Sequence, residues 1–206
     1  HTSYGFHPQA DIRTESVHYN KRQQQFEIVQ RNKRTTVTTR LLGNYNILNC
    51  LAAYTTAVVG LGIKPAIAKA GLETLQMIPG RMEIIDMGQK FLAVVDFAHT
   101  PNALKRVLEL SKTLTKGRVL AVFGSAGLRD REKRWMMAEV AAQLADITIL
   151  TAEDPRIESV HTILDEMALG MRNNNGIEGE TYWRIPDRRE AIRLAIKFAK
   201  EGDLVI

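Results

Sequence analysis

The sequence predicts an α/β protein: a mostly parallel sheet with helices on both faces. Three observations predict it. Apolar runs at residues 91–95, 118–123 and 146–150 are nearly continuous rather than alternating, the texture of strands buried on both faces. Each run ends in a polar loop, and each loop opens a helical stretch. Strand–helix alternation of this kind builds a parallel sheet layered by helices.

The elements follow in order. Residues 25–30 and 35–39 read as strands from their β-branched and alternating content. They have no evident partner core and are expected at the edge of a larger sheet or as the remnant of an upstream domain. Residues 43–49, GNYNILN, open a helix running to about 59, with Asn46 and Asn49 on one face. Pro65 starts a second helix to Leu75, and Pro79-Gly80 stops it. Residues 82–85 and 91–95 are expected to pair around a turn at 87–89. Thr100-Pro101 is a strong helix start, since the hydroxyl can accept a free N–H and Pro lacks the N–H that would go unpaired. The helix from 101 to 114 turns Leu104, Val107, Leu108 and Leu114 inward, and the next, ending near Leu144, turns Met137, Val140, Ala141 and Leu144 inward. Ser159 is expected to cap a helix to about Met171, and a short strand lies near Tyr182-Trp183. Asp187 caps the last helix, with Glu190 in the capping-box position and a buried stripe of Ala191, Ile192, Ala195, Ile196 and Ala199. Residues 203–206 read as the start of another strand, so a fragment is expected.

Composition narrows the function. The 206 residues are 45% hydrophobic, enough for one large domain or one and a half small ones. The excess of Lys+Arg (28) over Asp+Glu (23) gives +5, with a pI near 9.4. The basic residues are scattered and aromatics are only 6%, so no nucleic-acid platform is expected. Anionic small molecules explain the charge as well. Cys50 stands alone, which excludes a disulfide framework and a thiolate metal site, and its neighbours mark it as a core residue. No apolar run approaches a membrane span and the N-terminus has no signal-peptide pattern, so a cytoplasmic setting without membrane contact is expected.

Three polar clusters should meet at the carboxyl edge of the sheet, where ligands of open α/β sheets bind. Asp96 and His99 follow the first strand. The loop 124–134, with Gly124, Gly127, Arg129, Arg131, Lys133 and Arg134, follows the second. Glu153, Asp154 and Arg156 follow the third. The glycines allow a tight turn that exposes N–H groups to an anion, and arginine clamps carboxylate or phosphate. Each cluster alone could be a solvated loop. Together they predict a site for an anionic or zwitterionic ligand.

Five motifs in order, GNYNILN (43–49), PGRME (79–83), VDFAHTP (95–101), GSAGLRDR (124–131) and EDPRIE (153–158), resemble the Mur ligases, most closely those that form the UDP-N-acetylmuramoyl tripeptide. The resemblance runs from about residue 4 to the end. It implies that residues 1–80 are the tail of a central ATPase domain and residues 81–206 most of a Rossmann-like C-terminal domain. It implies ATP contacts at Asn46, Asn49, Arg81, Asp96 and His99, with Arg81 also catalytic, and an amino-acid subsite at Arg129, Glu153, Asp154, Pro155 and Arg156. The implied reaction is ATP- and Mg²⁺-dependent amide formation on a UDP-muramoyl peptide, by a monomer, with the C-terminal domain closing as a lid. No metal ligands are expected here, because Mg²⁺ would be held mostly by parts outside this sequence.

Three departures bear on this expectation. No G-x-x-x-x-G-K-[ST] phosphate loop occurs, so the chain by itself is expected neither to turn over nor to hold ATP tightly. The family's carbamylated lysine and its UDP-substrate domain are missing as well. Where members using diaminopimelate have Asp-Asn-Pro-Arg, this sequence has Glu153-Asp154-Pro155-Arg156, which leaves diaminopimelate first and lysine or another amino acid second. The alternatives are a cyanophycin- or folylpolyglutamate-type amide ligase, and a non-catalytic amino-acid or nucleotide binding module.

Overall fold

The computed structural model describes residues 1–20 and 22–206, which form two units, His1–Glu83 and Ile84–Ile206. Among the described residues no helix is long and apolar enough to cross a membrane.

The first unit is a four-stranded sheet in the order β1 (Tyr4–Gly5), β2 (Ile12–Tyr19), β3 (Gln24–Gln30), β4 (Lys33–Thr39). β1 runs parallel to β2, and the other two pairings are antiparallel. The β3–β4 hairpin turns on Arg31 and Asn32, both at positive φ, as a two-residue turn matched to strand twist requires. The expectation that these strands lack a core is corrected here. Ile12, Phe26, Ile28 and Val37 pack against Ile47, Cys50, Leu51 and Tyr54 of α1 (Asn44–Thr55). Burying each large side chain there contributes about 1.5–3 kcal/mol.

Gln24, fully buried, ties the sheet to the start of α1. Its amide donates to the carbonyls of Leu41 and Gly43 and accepts from the Gly43 N–H at 3.0 Å. After α1 the chain runs through a π-helical turn, Thr56–Gly60, so the α-helix stops short of the expected residue 59. α2 (Pro65–Thr74) follows, started by Pro65.

The second unit holds a six-stranded sheet in the order β5 (Glu83–Ile85), β6 (Leu92–Val95), β10 (Leu204–Val205), β7 (Val119–Phe123), β8 (Ile147–Thr151), β9 (Tyr182–Ile185). From β6 to β9 every neighbouring pair is parallel. α3 (Pro101–Leu114), α4 (Glu132–Leu144) and α5 (Val160–Asn173) pack side by side on β7, β8 and β9. α6 (Arg188–Phe198) packs on Leu120, Ile147 and Ile149, the opposite face by strand alternation. The mostly parallel sheet with helices on both faces is as the sequence predicts.

Two helices depart from their expected stripes. In α4 the buried positions are Arg134, Met137, Ala138 and Ala141, while Val140 and Leu144 are half-buried. In α6 only Ala191 and Ala195 are buried. Ile192 (41% exposed) and Ile196 (50%) instead line an open apolar groove with Ile85, Phe91 and Val95. The caps at Thr100 and Asp187 form as expected, accepting from Ala103 N–H at 3.2 Å and Glu190 N–H at 3.0 Å. Ser159 occupies the cap position of α5, but its side chain makes no capping hydrogen bond.

β10 takes the centre of the sheet because Asp203, just before it, is a junction. Its carboxylate accepts from Arg118 N–H (2.8 Å), the Arg118 guanidinium (2.7 Å) and Lys200 N–H (2.8 Å). Burial pushes this carboxyl up, but these donors outweigh it and hold it below the usual range.

Candidate functional site

A cleft of about 530 Å³ opens at the carboxyl ends of β6, β7 and β8, entirely within the second unit. All three clusters singled out in the sequence reach it: Asp96 and His99, then Arg129 and Lys133, then Glu153, Asp154 and Arg156.

The first cluster is set by the β6–α3 turn. Asp96 accepts the Ala98 N–H at 2.9 Å, which folds the chain back toward α3. His99 meets Phe97 with ring centroids 4.9 Å apart and the rings tilted by 56°, and its Nδ1 lies 3.0 Å from the Phe97 carbonyl. A carbonyl only accepts, so Nδ1 carries the proton, and a neutral ring keeps Nε2 as an acceptor.

The second and third clusters form one backbone-packed body. A Cβ on Gly124 would stand 2.3 Å from the Thr151 carbonyl oxygen, and one on Gly127 2.0 Å from that of Pro155. Only glycine lets the two loops approach this closely. The Gly127 N–H donates to the Asp154 carbonyl at 2.8 Å. Arg156 adopts positive φ (52°), and its Nε lies 3.6 Å from Asp154.

The basic loop does not behave as a single patch. Arg129 and Lys133 line the cleft. Arg131 and Arg134 do not, which corrects the expectation that all four add charge at the site. Arg131 pairs with Glu166, and Arg134 is buried against Glu158 and Glu166. The Arg134 guanidinium first, then the Leu128 N–H, pulls the Glu158 carboxyl down to about 2.

Pro155 does not line the cleft and contributes through its carbonyl's contact with Gly127. Asn46, Asn49 and Arg81 belong to the first unit. Asn46 is buried, its amide donating to the Leu42 carbonyl at 2.8 Å and its Oδ1 accepting from Asn49 at 3.3 Å. Arg81 is exposed, and its backbone N–H donates to the Ile78 carbonyl.

Sequence reasoning missed Arg188. It is the first residue of α6, lines the cleft, and donates to the Ala152 carbonyl at 3.1 Å. The signal was present: a capped helix following a fourth strand of the same sheet delivers its first turn to the same edge. Among the described residues no group of three or more His, Cys, Asp or Glu could hold a metal ion. The cleft presents arginine and lysine beside carboxylates, which suits a ligand carrying both carboxylate and ammonium groups.

Comparison with known proteins identifies the family. Residues 1–57 match the Mur ligase middle domain, and residues 80–206 the Mur ligase glutamate ligase domain. The chain is 38% identical over 203 residues to the UDP-N-acetylmuramoyl-L-alanyl-D-glutamate–2,6-diaminopimelate ligase of Solibacter usitatus, covering 98% of this chain and 40% of that protein. It is 40% identical over 204 residues to the UDP-N-acetylmuramyl-tripeptide synthetase of a Roseiflexus species, covering 99% and 40%. A solved diaminopimelate ligase structure superposes with a TM-score of 0.61 at 34% identity, over 99% of this chain and 41% of that one. Folylpolyglutamate synthase of Mycobacterium tuberculosis shares the fold at a TM-score of 0.77 and 15% identity, over 96% and 45%. The chain thus spans about two fifths of the length of the curated relatives it matches. With a family match over residues 80–206, more than half its length, the chain belongs to the Mur ligases.

Proposed function

We propose that this chain supplies the amino-acid-binding part of an ATP-dependent ligase that extends a UDP-N-acetylmuramoyl dipeptide by one residue. The observation that carries the reading is the mixed-charge cleft on three adjacent strand ends, with Arg129 and Arg156 beside Glu153 and Asp154. Arginine is the side chain suited to the α-carboxylate of an incoming amino acid, and the carboxylates suit its ammonium groups. ATP transfers its γ-phosphoryl group to the dipeptide carboxylate and leaves as ADP. The free amine then attacks the acyl phosphate, phosphate departs, and the nitrogen loses a proton. The cleft's part is to hold the amine in line and to fix the carboxylate away from the reacting carbon. For ATP we propose Asn46, Asn49, Arg81, Asp96 and His99, on family resemblance, with Arg81 also catalytic. The family implies Mg²⁺, but no step of this reading runs through it.

Diaminopimelate is the first candidate amino acid, as in the named function of the Solibacter relative. Asp154 favours a second reading. Its exposed carboxylate sits beside Arg156 and suits a side-chain ammonium without a second carboxylate, as in lysine. The test is ATP-dependent ligation of labelled UDP-muramoyl dipeptide by the ligase carrying this chain, with diaminopimelate, lysine and glutamate offered in turn. Product with diaminopimelate or lysine supports the proposal, and turnover with none of the three refutes it. The 206-residue chain alone is expected to be inactive, because it has no phosphate loop.

A further inference from the structure

Among the described residues Arg134 is the largest fully buried side chain. It sits on α4 where the packed face of a helix calls for an apolar residue. A buried guanidinium is costly unless carboxylates and well-placed acceptors surround it. Here they do. Nη1 donates to Glu158 at 2.9 Å and to Glu166 at 2.8 Å, and Nη2 donates to Glu158 at 2.9 Å and to the Ala126 carbonyl at 3.3 Å. Glu158 also accepts the N–H of Leu128. One arginine thus holds two loops: the one carrying Arg129 through Ala126 and Leu128, and the one carrying Arg156 through Glu158. It lines no part of the cleft.

We infer that the Arg134–Glu158 pair is a positioning device for the amino-acid subsite, setting the spacing of Arg129 and Arg156 without touching the ligand. The inference rests on the ligase reading above and adds two residues to it. A pair kept only for stability would be poorly chosen, because apolar side chains of similar volume replace buried ion pairs at little or no cost. A pair kept for geometry needs the planar fork. Lysine retains the charge but cannot bridge both oxygens of Glu158 and the Ala126 carbonyl together.

The test is steady-state kinetics of the ligase carrying this chain, comparing wild type with R134K and E158Q. Glu158 is partly exposed and Glu166 still pairs with Arg134 when it is replaced, so E158Q is the milder of the two variants. The expected result in both variants is an amino-acid KM raised about tenfold or more, with kcat and the KM values for ATP and UDP-muramoyl dipeptide within about threefold. An active wild type whose amino-acid KM moves less than about twofold in E158Q overturns the inference and leaves the ligase reading intact. A fall in kcat with every KM unchanged reports lost folded enzyme and overturns it likewise. A wild type that ligates no amino acid overturns the ligase reading, and this inference with it.

Discussion

Replacing Gly127 with alanine tests whether the two cleft loops depend on backbone contact. Gly127 is not at positive φ, so alanine is allowed there by the backbone, and the whole effect is steric. The new Cβ would stand 2.0 Å from the Pro155 carbonyl oxygen and 2.7 Å from its carbon. Ordinary contact is about 3.5 Å, so the loops must part by roughly 1.5 Å. That shift also breaks the 2.8 Å hydrogen bond from Gly127 N–H to the Asp154 carbonyl. Overpacking costs about 1–3 kcal/mol and the lost hydrogen bond about 0.5–1.5 kcal/mol, together about 2–4 kcal/mol. For a unit of this size that lowers the melting temperature by about 8–16 °C. Thermal and urea melts followed by circular dichroism read it directly, scored on the transition of the second unit. Gly71→Ala is the control: it lies inside α2 with open space around it, so alanine should stabilise by about 0.5–1 kcal/mol. A G127A protein that melts within about 2 °C of wild type would refute the reasoning, since the loops could then separate freely.

Two further outcomes follow from titratable groups. The Glu158 carboxyl, held at about 2 in the folded chain, has an ordinary value near 4.3 once unfolded. Its stabilising contribution is therefore complete above about pH 5 and is lost as pH falls from about 4.5 toward 2. The melting gap between wild type and E158Q should be constant from pH 7 to 5 and close on acidification; a gap that persists unchanged at pH 2.5 contradicts this. Burial pushes the Cys50 thiol up to about 11 and leaves it 2% exposed. A disulfide reagent at pH 8 should leave the folded chain unmodified and titrate one thiol in denaturant, whereas rapid labelling of the folded chain would show that the four-stranded sheet does not cover that face of α1.

The second unit was legible because each level of the sequence pointed the same way. The strands of β6, β7 and β8 are nearly all apolar, their loops are polar, and Thr100 and Asp187 mark two of the helix starts. The first unit was harder. β2 hides its alternation behind Thr14 and is interrupted at Ser16, where positive φ and a register shift between Glu15 and His18 break the period. Without β2 the partner core of β3 and β4 could not be seen. The place of β10 was also out of reach. A two-residue strand holds no information about its neighbours, and it is the Arg118–Asp203 contact, 85 positions apart, that fixes it between β6 and β7.

The basic loop shows why charge in a sequence underdetermines a site. Arg129, Arg131, Lys133 and Arg134 lie within six positions, and composition treats them alike. The fold separates them by where the carboxylates are. Glu158, just before α5, and Glu166, on α5, pair with two of these arginines and neutralise them, one of them fully buried. Arg129 and Lys133 face the cleft, and no ion pair occupies either among the described residues. A charge already matched in the folded state has little left to offer a ligand, because binding would have to break the existing pair. On the proposed reading, the cationic side chains left to meet a carboxylate are therefore Arg129, Lys133, Arg188 and the loosely paired Arg156, and Arg134 acts at one remove. The positive charges at positions 131 and 134 are already matched and do not strengthen such a site. Altering Glu158 or Glu166 can weaken it, because those acids decide which arginines are turned outward.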